Sequence, residues 1–260
     1  MTTTIAISNQ KGGVAKTTTC LSLGACLAEI GQLVLLIDLD PQAHLTLSMG
    51  LRPENLRYTV EDVLLGGASL AGVSRESPVF GLDIIPANQR LVTLDKVLDG
   101  QKRHGFLKNS LDAMGAGFYD IVLIDCPPSF GTLTLNALTA ADLLIIPVQC
   151  EYYAAHSLRQ IVEVAKLVRE RTNPRLICRV LVTMYDRRNK ICRLILEQTR
   201  KGLSKVLFRT IIEIDTKLKE SPAFGQPITL YAPRTRGAQQ YRALAQELTN
   251  HGHQRSQKPT

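Results

Sequence analysis

Two lysines five positions apart, Lys11 and Lys16, enclose Gly12, Gly13, Val14 and Ala15, and the hydroxyls of Thr17 and Thr18 follow directly. Ammonium groups, small residues that let backbone amides approach a ligand, and hydroxyls in one short run suit a phosphate group. Lys16 would place a point charge on the β- and γ-phosphates of a nucleotide, and the Thr17 hydroxyl would ligate Mg²⁺. Residues 3–8 are apolar and β-branched, which predicts a strand; residues 16–30 recur at helical spacing, with Gly31 placed to stop the helix. Strand, loop and helix would converge backbone N–H groups and the positive end of a helix dipole on one small volume. The plainer reading, a glycine-rich turn that binds nothing, leaves the paired lysines and threonines unexplained.

Carboxylates form the second candidate set. The run Leu33-Val34-Leu35-Leu36-Ile37 ends in Asp38-Leu39-Asp40-Pro41. Pro41 cannot continue a central strand, so Asp38 and Asp40 fall at a strand's carboxyl end, where open α/β sheets bind ligands. A turn-forming Asp-Pro is the bland alternative for Asp40. Farther on, Ile121-Val122-Leu123-Ile124 leads to Asp125 and is stopped by Pro127-Pro128. That is the shape of the element whose carboxylate holds Mg²⁺ through water in phosphoryl-transfer sites.

The elements that must position these groups alternate. Strands are predicted at 33–38, 82–87, 119–125, 141–148, 176–184 and 206–212, and helices at 59–65, 89–99, 103–114, 155–171, 190–201 and 237–249. Such alternation predicts an α/β fold with a doubly wound, mostly parallel sheet flanked by helices. At 260 residues the chain suits a single domain over 1–250, with a polar, disordered tail over 251–260. The composition, 45% apolar and 21% charged, excludes the disordered class. No apolar run reaches the roughly 18 residues of a membrane span, and no targeting segment is visible, so a cytosolic location is expected. The six cysteines are scattered without metal-ligand spacing and read as small buried apolar residues.

The net charge of +8 is uneven. Residues 166–236 hold 17 Lys/Arg against 6 Asp/Glu, an excess of 11, so the rest of the chain carries about −3. The basic half includes Arg187, Arg188, Lys190, Arg193, Lys201, Lys205, Lys217 and Lys219, and it suits a polyanion read through its phosphates. No helix-turn-helix, zinc motif or aromatic interleaving points to base readout. A solvated face serving solubility is the alternative.

The loop lacks glycine where the standard G-x-x-x-x-G-K-[ST] pattern wants it, at Gln10 and Ala15, and instead matches K-G-G-x-x-K-[ST]. With Asn9-Gln10 before it, Ile124-Asp125-Cys126-Pro127-Pro128-Ser129, and Gln149-Cys150-Glu151-Tyr152-Tyr153, the chain resembles the ParA/Soj branch of the ParA/MinD deviant Walker-A (P-loop) ATPases over nearly its whole length. The resemblance implies a P-loop NTPase fold, ATP and Mg²⁺ as cofactors, and a homodimer formed on ATP. Lys11 would reach across that dimer to the partner's nucleotide. Lys16 and the loop residues Gly12 to Thr18 would bind phosphate, and Asp40 would position the attacking water with Asp38 assisting. The metal would be held by Thr17, Asp40 and Asp125, and the adenine by Thr183, Met184 and Pro233. Nonspecific DNA would be bound by Arg187, Arg188 and Lys217, giving a nucleoid-associated protein whose hydrolysis is stimulated by a ParB-like or other cargo adaptor. The resemblance thins after Phe208, where the branch carries I-P-R and this chain has Ile212-Glu213-Ile214-Asp215. A MinD-like membrane-associated regulator is the second reading; it would need a C-terminal amphipathic helix, which the tail's composition lacks, so no stable membrane association is expected. A cluster-bearing electron donor would need two cysteines placed to share a cluster.

Overall fold

The continuous apolar runs become the centre of one sheet. The computed structural model describes residues 2–100, 104–115, 117–151 and 154–256. Within them lie strands β1 (Thr3–Ile7), β2 (Val34–Asp38), β3 (Arg75–Glu76), β4 (Leu82–Ile85), β5 (Ile121–Asp125), β6 (Leu143–Gln149) and β7 (Ile177–Thr183). Their order is β3-β4-β2-β5-β1-β6-β7, parallel except for the edge pair β3–β4. The register aligns Asp38 with Asp125 across β2–β5 and Ile7 with Asp125 across β1–β5. Two carboxylates and the start of the glycine loop therefore meet at one carboxyl edge.

The helices are α1 (Lys16–Glu29), α2 (His44–Ser48), α3 (Val60–Leu64), α4 (Leu70–Val73), α5 (Leu91–Gly100), α6 (Phe106–Met114), α7 (Thr132–Ala140), α8 (Ala154–Arg171), α9 (Lys190–Leu203), α10 (Thr216–Glu220), α11 (Ile228–Tyr231) and α12 (Arg236–Ser256). Both sheet faces are covered, which is why β2 and β5 are apolar at nearly every position. On one face Cys20, Leu23 and Leu27 of α1 and Tyr241, Leu244 and Ala245 of α12 pack on Ile5, Ile7, Leu36 and Leu123. On the other, Leu133 and Ala137 of α7 and Ile161 and Ala165 of α8 pack on Leu35, Ile37, Ile124 and Ile146. Gly24 lets α1 lie close to the sheet, since a Cβ there would come within 2.7 Å of Leu36 Cδ2. Gly31, at φ +87°, ends that helix.

Besides the short elements β3, α2, α4, α10 and α11, which the expectations did not include, three segments differ. Residues 206–212 run beside β7 but form no strand: the pairing is broken between Phe208, whose amide donates to the Val180 carbonyl, and Ile212, whose amide donates to the Val182 carbonyl, leaving isolated bridges at Leu207 and Glu213. The physical reason is Glu247 of α12, whose carboxylate takes the amides of Arg209 and Thr210 at 2.9 Å each and turns them away from a ladder. Helix α7 was not anticipated; its sequence TLTLNALTA is rich in threonine, and it is stabilised by burial rather than by propensity. Helix α12 continues to Ser256, past the expected end at 249 and into the stretch expected to be disordered. Residues 257–260 of that tail, residue 103 at the expected start of the second of the paired helices, and Tyr152-Tyr153 lie outside the described residues.

Candidate functional site

The loop between β1 and α1 is held by its own Asn9 and by side chains from the ends of β6 and β7. Asn9, fully buried, donates to the Pro147 carbonyl at 2.8 Å and accepts the Lys11 amide at 3.1 Å. Gln149 Nε2 donates to the Gly13 carbonyl at 2.7 Å, and the Thr183 hydroxyl donates to the Val14 carbonyl at 3.0 Å. Gly13 has φ +73° and Ala15 φ +66°, so the chain turns through two left-handed residues directly before α1. A Cβ at Gly12 or Gly13 would meet nothing within 4 Å, which marks the open side of the loop. Ala15 provides no side-chain cap, leaving the first-turn amides of a 14-residue helix available to an anion.

Around this loop sit the charges. Lys16 is buried, 8% exposed, and its ammonium donates to the Lys11 carbonyl at 3.1 Å. Burial lowers its pKa, opposed by the negative charges of Asp125 and Asp40. Thr17 donates its hydroxyl to Asp125 Oδ2 at 2.7 Å, while Asp125 Oδ1 is buried with no hydrogen-bond partner. Burial, then the Asp38 charge, push the Asp125 carboxyl well above its ordinary range. Asp38, also fully buried, accepts from the Asp40 amide at 3.0 Å and from the Thr46 amide and hydroxyl at 2.9 and 2.7 Å. Burial still pushes it up to about 7.

These observations test the fit of a divalent cation. An orphaned carboxylate oxygen beside a threonine hydroxyl, among three acids balanced by one ammonium, suits a hard cation taking oxygen ligands. Among the described residues no group of three acidic, His or Cys side chains converges as a ligand set. A cation would rest on Thr17 and Asp125, which touch each other, with Asp40 the third expected ligand and phosphate and water oxygens completing its shell, as Mg²⁺ favours.

A cavity of about 470 Å³ opens over the loop. Gly12, Gly13, Ala15, Lys16, Thr17, Thr18 and Asp40 line it, together with Met184 and the segment Ile212, Glu213, Ile214, Asp215, Leu218 and Lys219. The lining thus combines the glycine loop and its lysine with apolar surface from Met184, Ile212, Ile214 and Leu218, interleaved with the charges of Glu213, Asp215 and Lys219. Asp40 accepts the Gln42 amide on Oδ1 at 2.9 Å, the contact of a turn former, and it also lines the cavity. Of the three residues expected at the base, only Met184 lines the cavity. Thr183 supports the loop from behind, and the Pro233 carbonyl is engaged by Arg242.

Sequence reasoning missed Gln42, His44, Pro128, Tyr241 and the 212–219 segment as cavity walls. A signal for the last was present in the departure at Glu213 and Asp215. Glu213 pairs with Arg236 at 3.0 Å and its amide donates to Gln240. Asp215 caps α10 at the Lys217 amide and also takes the Gly237 amide of α12. These acids tie the cavity's apolar wall to α12.

The three residues expected to contact DNA are exposed and lie in one region, each beside an acid. Arg188 pairs with Asp186 at 3.0 Å, Lys217 with Glu220 at 2.7 Å, and Arg187 approaches Glu213 at 4.0 Å. Lys11 pairs with Glu151 of the same chain. Four of the six cysteines are buried and two are partly buried; all are free, as expected of core residues. No helix among the described residues is long and apolar enough to cross a membrane.

Comparison with known proteins places this arrangement. The AAA domain family matches residues 2–178. The chain is 42% identical over 250 residues to the sporulation initiation inhibitor protein Soj of Bacillus subtilis, covering 95% of this chain and 98% of that protein. It is 40% identical over 257 residues to the chromosome partitioning protein ParA of Caulobacter vibrioides, covering 98% and 96%. Among solved structures, a cobyrinic acid a,c-diamide synthase from Mycobacterium smegmatis with bound ADP and magnesium superposes with a TM-score of 0.86 at 36% identity, covering 100% of this chain and 99% of that one. With its K-G-G-x-x-K-T loop, its mostly parallel sheet and these relatives, the chain belongs to the ParA/Soj-type family of deviant Walker-A P-loop ATPases.

Proposed function

We propose that this protein is a Mg²⁺-dependent ATPase that dimerises on ATP, binds DNA without sequence preference, and partitions or positions a cargo through an adaptor that stimulates hydrolysis. The carrying observation is the Thr17–Asp125 pair with its orphaned oxygen, set beside buried Lys16 at the mouth of the cavity. Lys16 and the first-turn amides of α1 would neutralise the phosphates, and Thr17 and Asp125 would hold the metal, which supplies further charge neutralisation when bound. Asp40, on the cavity wall with a backbone-anchored carboxylate, would orient the attacking water. Lys11 would complete the site of a partner subunit. The cavity's apolar surface, with Met184, Ile212 and Leu218, would receive the base. That relatives of one fold carry names as different as partitioning protein and diamide synthase means the partition role rests on the site and the basic half rather than on the fold.

The test measures DNA binding by the purified protein with ADP, with ATP, and with ATP in an Asp40→Ala variant, at two salt concentrations. Binding that needs ATP, ignores sequence and weakens with salt at a slope of roughly −0.9 per phosphate contact supports the reading. Absence of DNA binding under every nucleotide leaves the ATPase and removes the partition role.

A further inference from the structure

The two loop lysines are held differently. Lys16 donates to a neutral carbonyl, that of Lys11, and makes no ion-pair contact among the described residues, the charges of Asp125 and Asp40 acting on it from farther off. Lys11 is instead neutralised. Its ammonium is ion-paired with the Glu151 carboxylate and also reaches Gln149 Oε1 at 3.5 Å. An ammonium has three N–H donors, and a carboxylate that claims one also cancels the charge on which phosphate attraction depends.

Glu151 is delivered to this position by the fold. Strand β6 ends at Gln149, whose side chain grips the Gly13 carbonyl, and the Glu151 amide turns back onto the Gln149 carbonyl at 2.9 Å. The intervening Cys150 carbonyl accepts the Cys192 thiol of α9 at 3.3 Å. The segment 149–151 is thereby fastened to the phosphate loop on one side and to the basic helix α9 on the other.

We infer that Glu151 is a positioning residue for Lys11: its carboxylate competes with nucleotide phosphate for the Lys11 ammonium and so raises the ATP concentration at which Lys11 engages. This inference rests on the ATPase reading above. Glu151 touches no reacting atom in it and acts through Lys11 alone. Both side chains are partly exposed, 32% for Lys11 and 53% for Glu151, so the competition is modest in size.

The test is a titration of Mg-ATP into the wild-type protein, Glu151→Gln, Glu151→Asp, Lys11→Ala and the Lys11→Ala/Glu151→Gln double variant. Glu151→Gln is expected to bind ATP about two- to fivefold more tightly, the range a half-exposed ion pair supports. Glu151→Asp should stay close to wild type because the charge is retained, and in the Lys11→Ala background the Glu151→Gln gain should vanish. A gain that persists without Lys11 would show a general field effect and overturn the inference. Unchanged or weaker binding by Glu151→Gln would also overturn it. Failure of the wild-type protein to bind ATP at all would instead sink the ATPase reading, so the two failures are distinguishable.

Discussion

Asp38 and Asp125 at the carboxyl edge of the sheet and Asp186 and Glu220 in the basic half are shifted in opposite directions. Burial holds Asp38 up to about 7 and Asp125 well above its ordinary range. In the basic half the Arg188 side chain pulls Asp186 down to about 2, and the Lys217 side chain lowers Glu220. Burial pushes Glu247 up, but the amides of Arg209 and Thr210 and the charge of Arg179 overcome it and leave the carboxyl lowered. Backbone strain divides the same way. All three non-glycine residues with positive φ among the described residues, Ala15, Ala43 and Met184, follow β1, β2 and β7 at the nucleotide edge. One region therefore holds buried, unpaired carboxylates and strain, as functional sites do, and the other pairs Asp186, Glu213 and Glu220 with arginine or lysine while keeping its excess of positive charge. For the basic half this has a functional corollary: a polyanion must displace Asp186, Glu213 and Glu220 from the arginines and lysine it would contact.

The largest way to break the contrast is to remove the one cation among the edge carboxylates. Lys16→Ala is expected to lower ATP turnover by about 10²–10³-fold, the loss typical of one preorganised electrostatic group in a closed site. Steady-state hydrolysis at saturating Mg-ATP measures it, and turnover within tenfold of wild type would mean that the ammonium does not act on the phosphates.

In the paired region, Glu247→Gln should cost about 2–3 kcal/mol of stability, somewhat under the usual figure for a broken buried pair because the amide oxygen still accepts hydrogen bonds. The pair is only 17% and 10% exposed, with the Arg179 guanidinium also stacked 3.8 Å over Phe208. A lowered folded-state pKa means that this carboxylate's stabilisation is present above its unfolded value of about 4.5 and is lost as pH falls through the folded value. Urea unfolding at pH 7 and pH 4 should therefore show the gap between wild type and variant closing on the acid side. A gap that is constant with pH would contradict the assignment.

The smallest effect sharpens the strain side of the comparison. Ala15→Gly removes a left-handed alanine and should stabilise the protein by about 0.5–1 kcal/mol, after the greater flexibility of glycine in the unfolded chain is counted. A lower urea midpoint for the glycine variant would show that the loop's shape is not strained at this position.

What the chain determines by itself is whatever depends on neighbours in sequence. The run before Ser8, the Gly12-Gly13 turn and the Lys16–Thr18 helix start are legible locally, and so are the aspartates that end β2 and β5, because short-range sterics and apolar runs mark them even though Gln149 and Thr183 hold the loop from afar. The alternation of strand and helix is legible for the same reason, and with it the α/β class. Tertiary structure decided what depends on residues far apart. It withheld a strand from 206–212 by setting Glu247 against its amides, and it built the cavity's apolar wall from Ile212, Ile214 and Leu218. It moved Thr183 from the base site to the back of the loop, and it paired Lys11 with Glu151 across 140 positions. Periodicity and local propensity carry no information about such partners, because a carboxylate's effect depends on which charge the fold brings within a few ångströms of it.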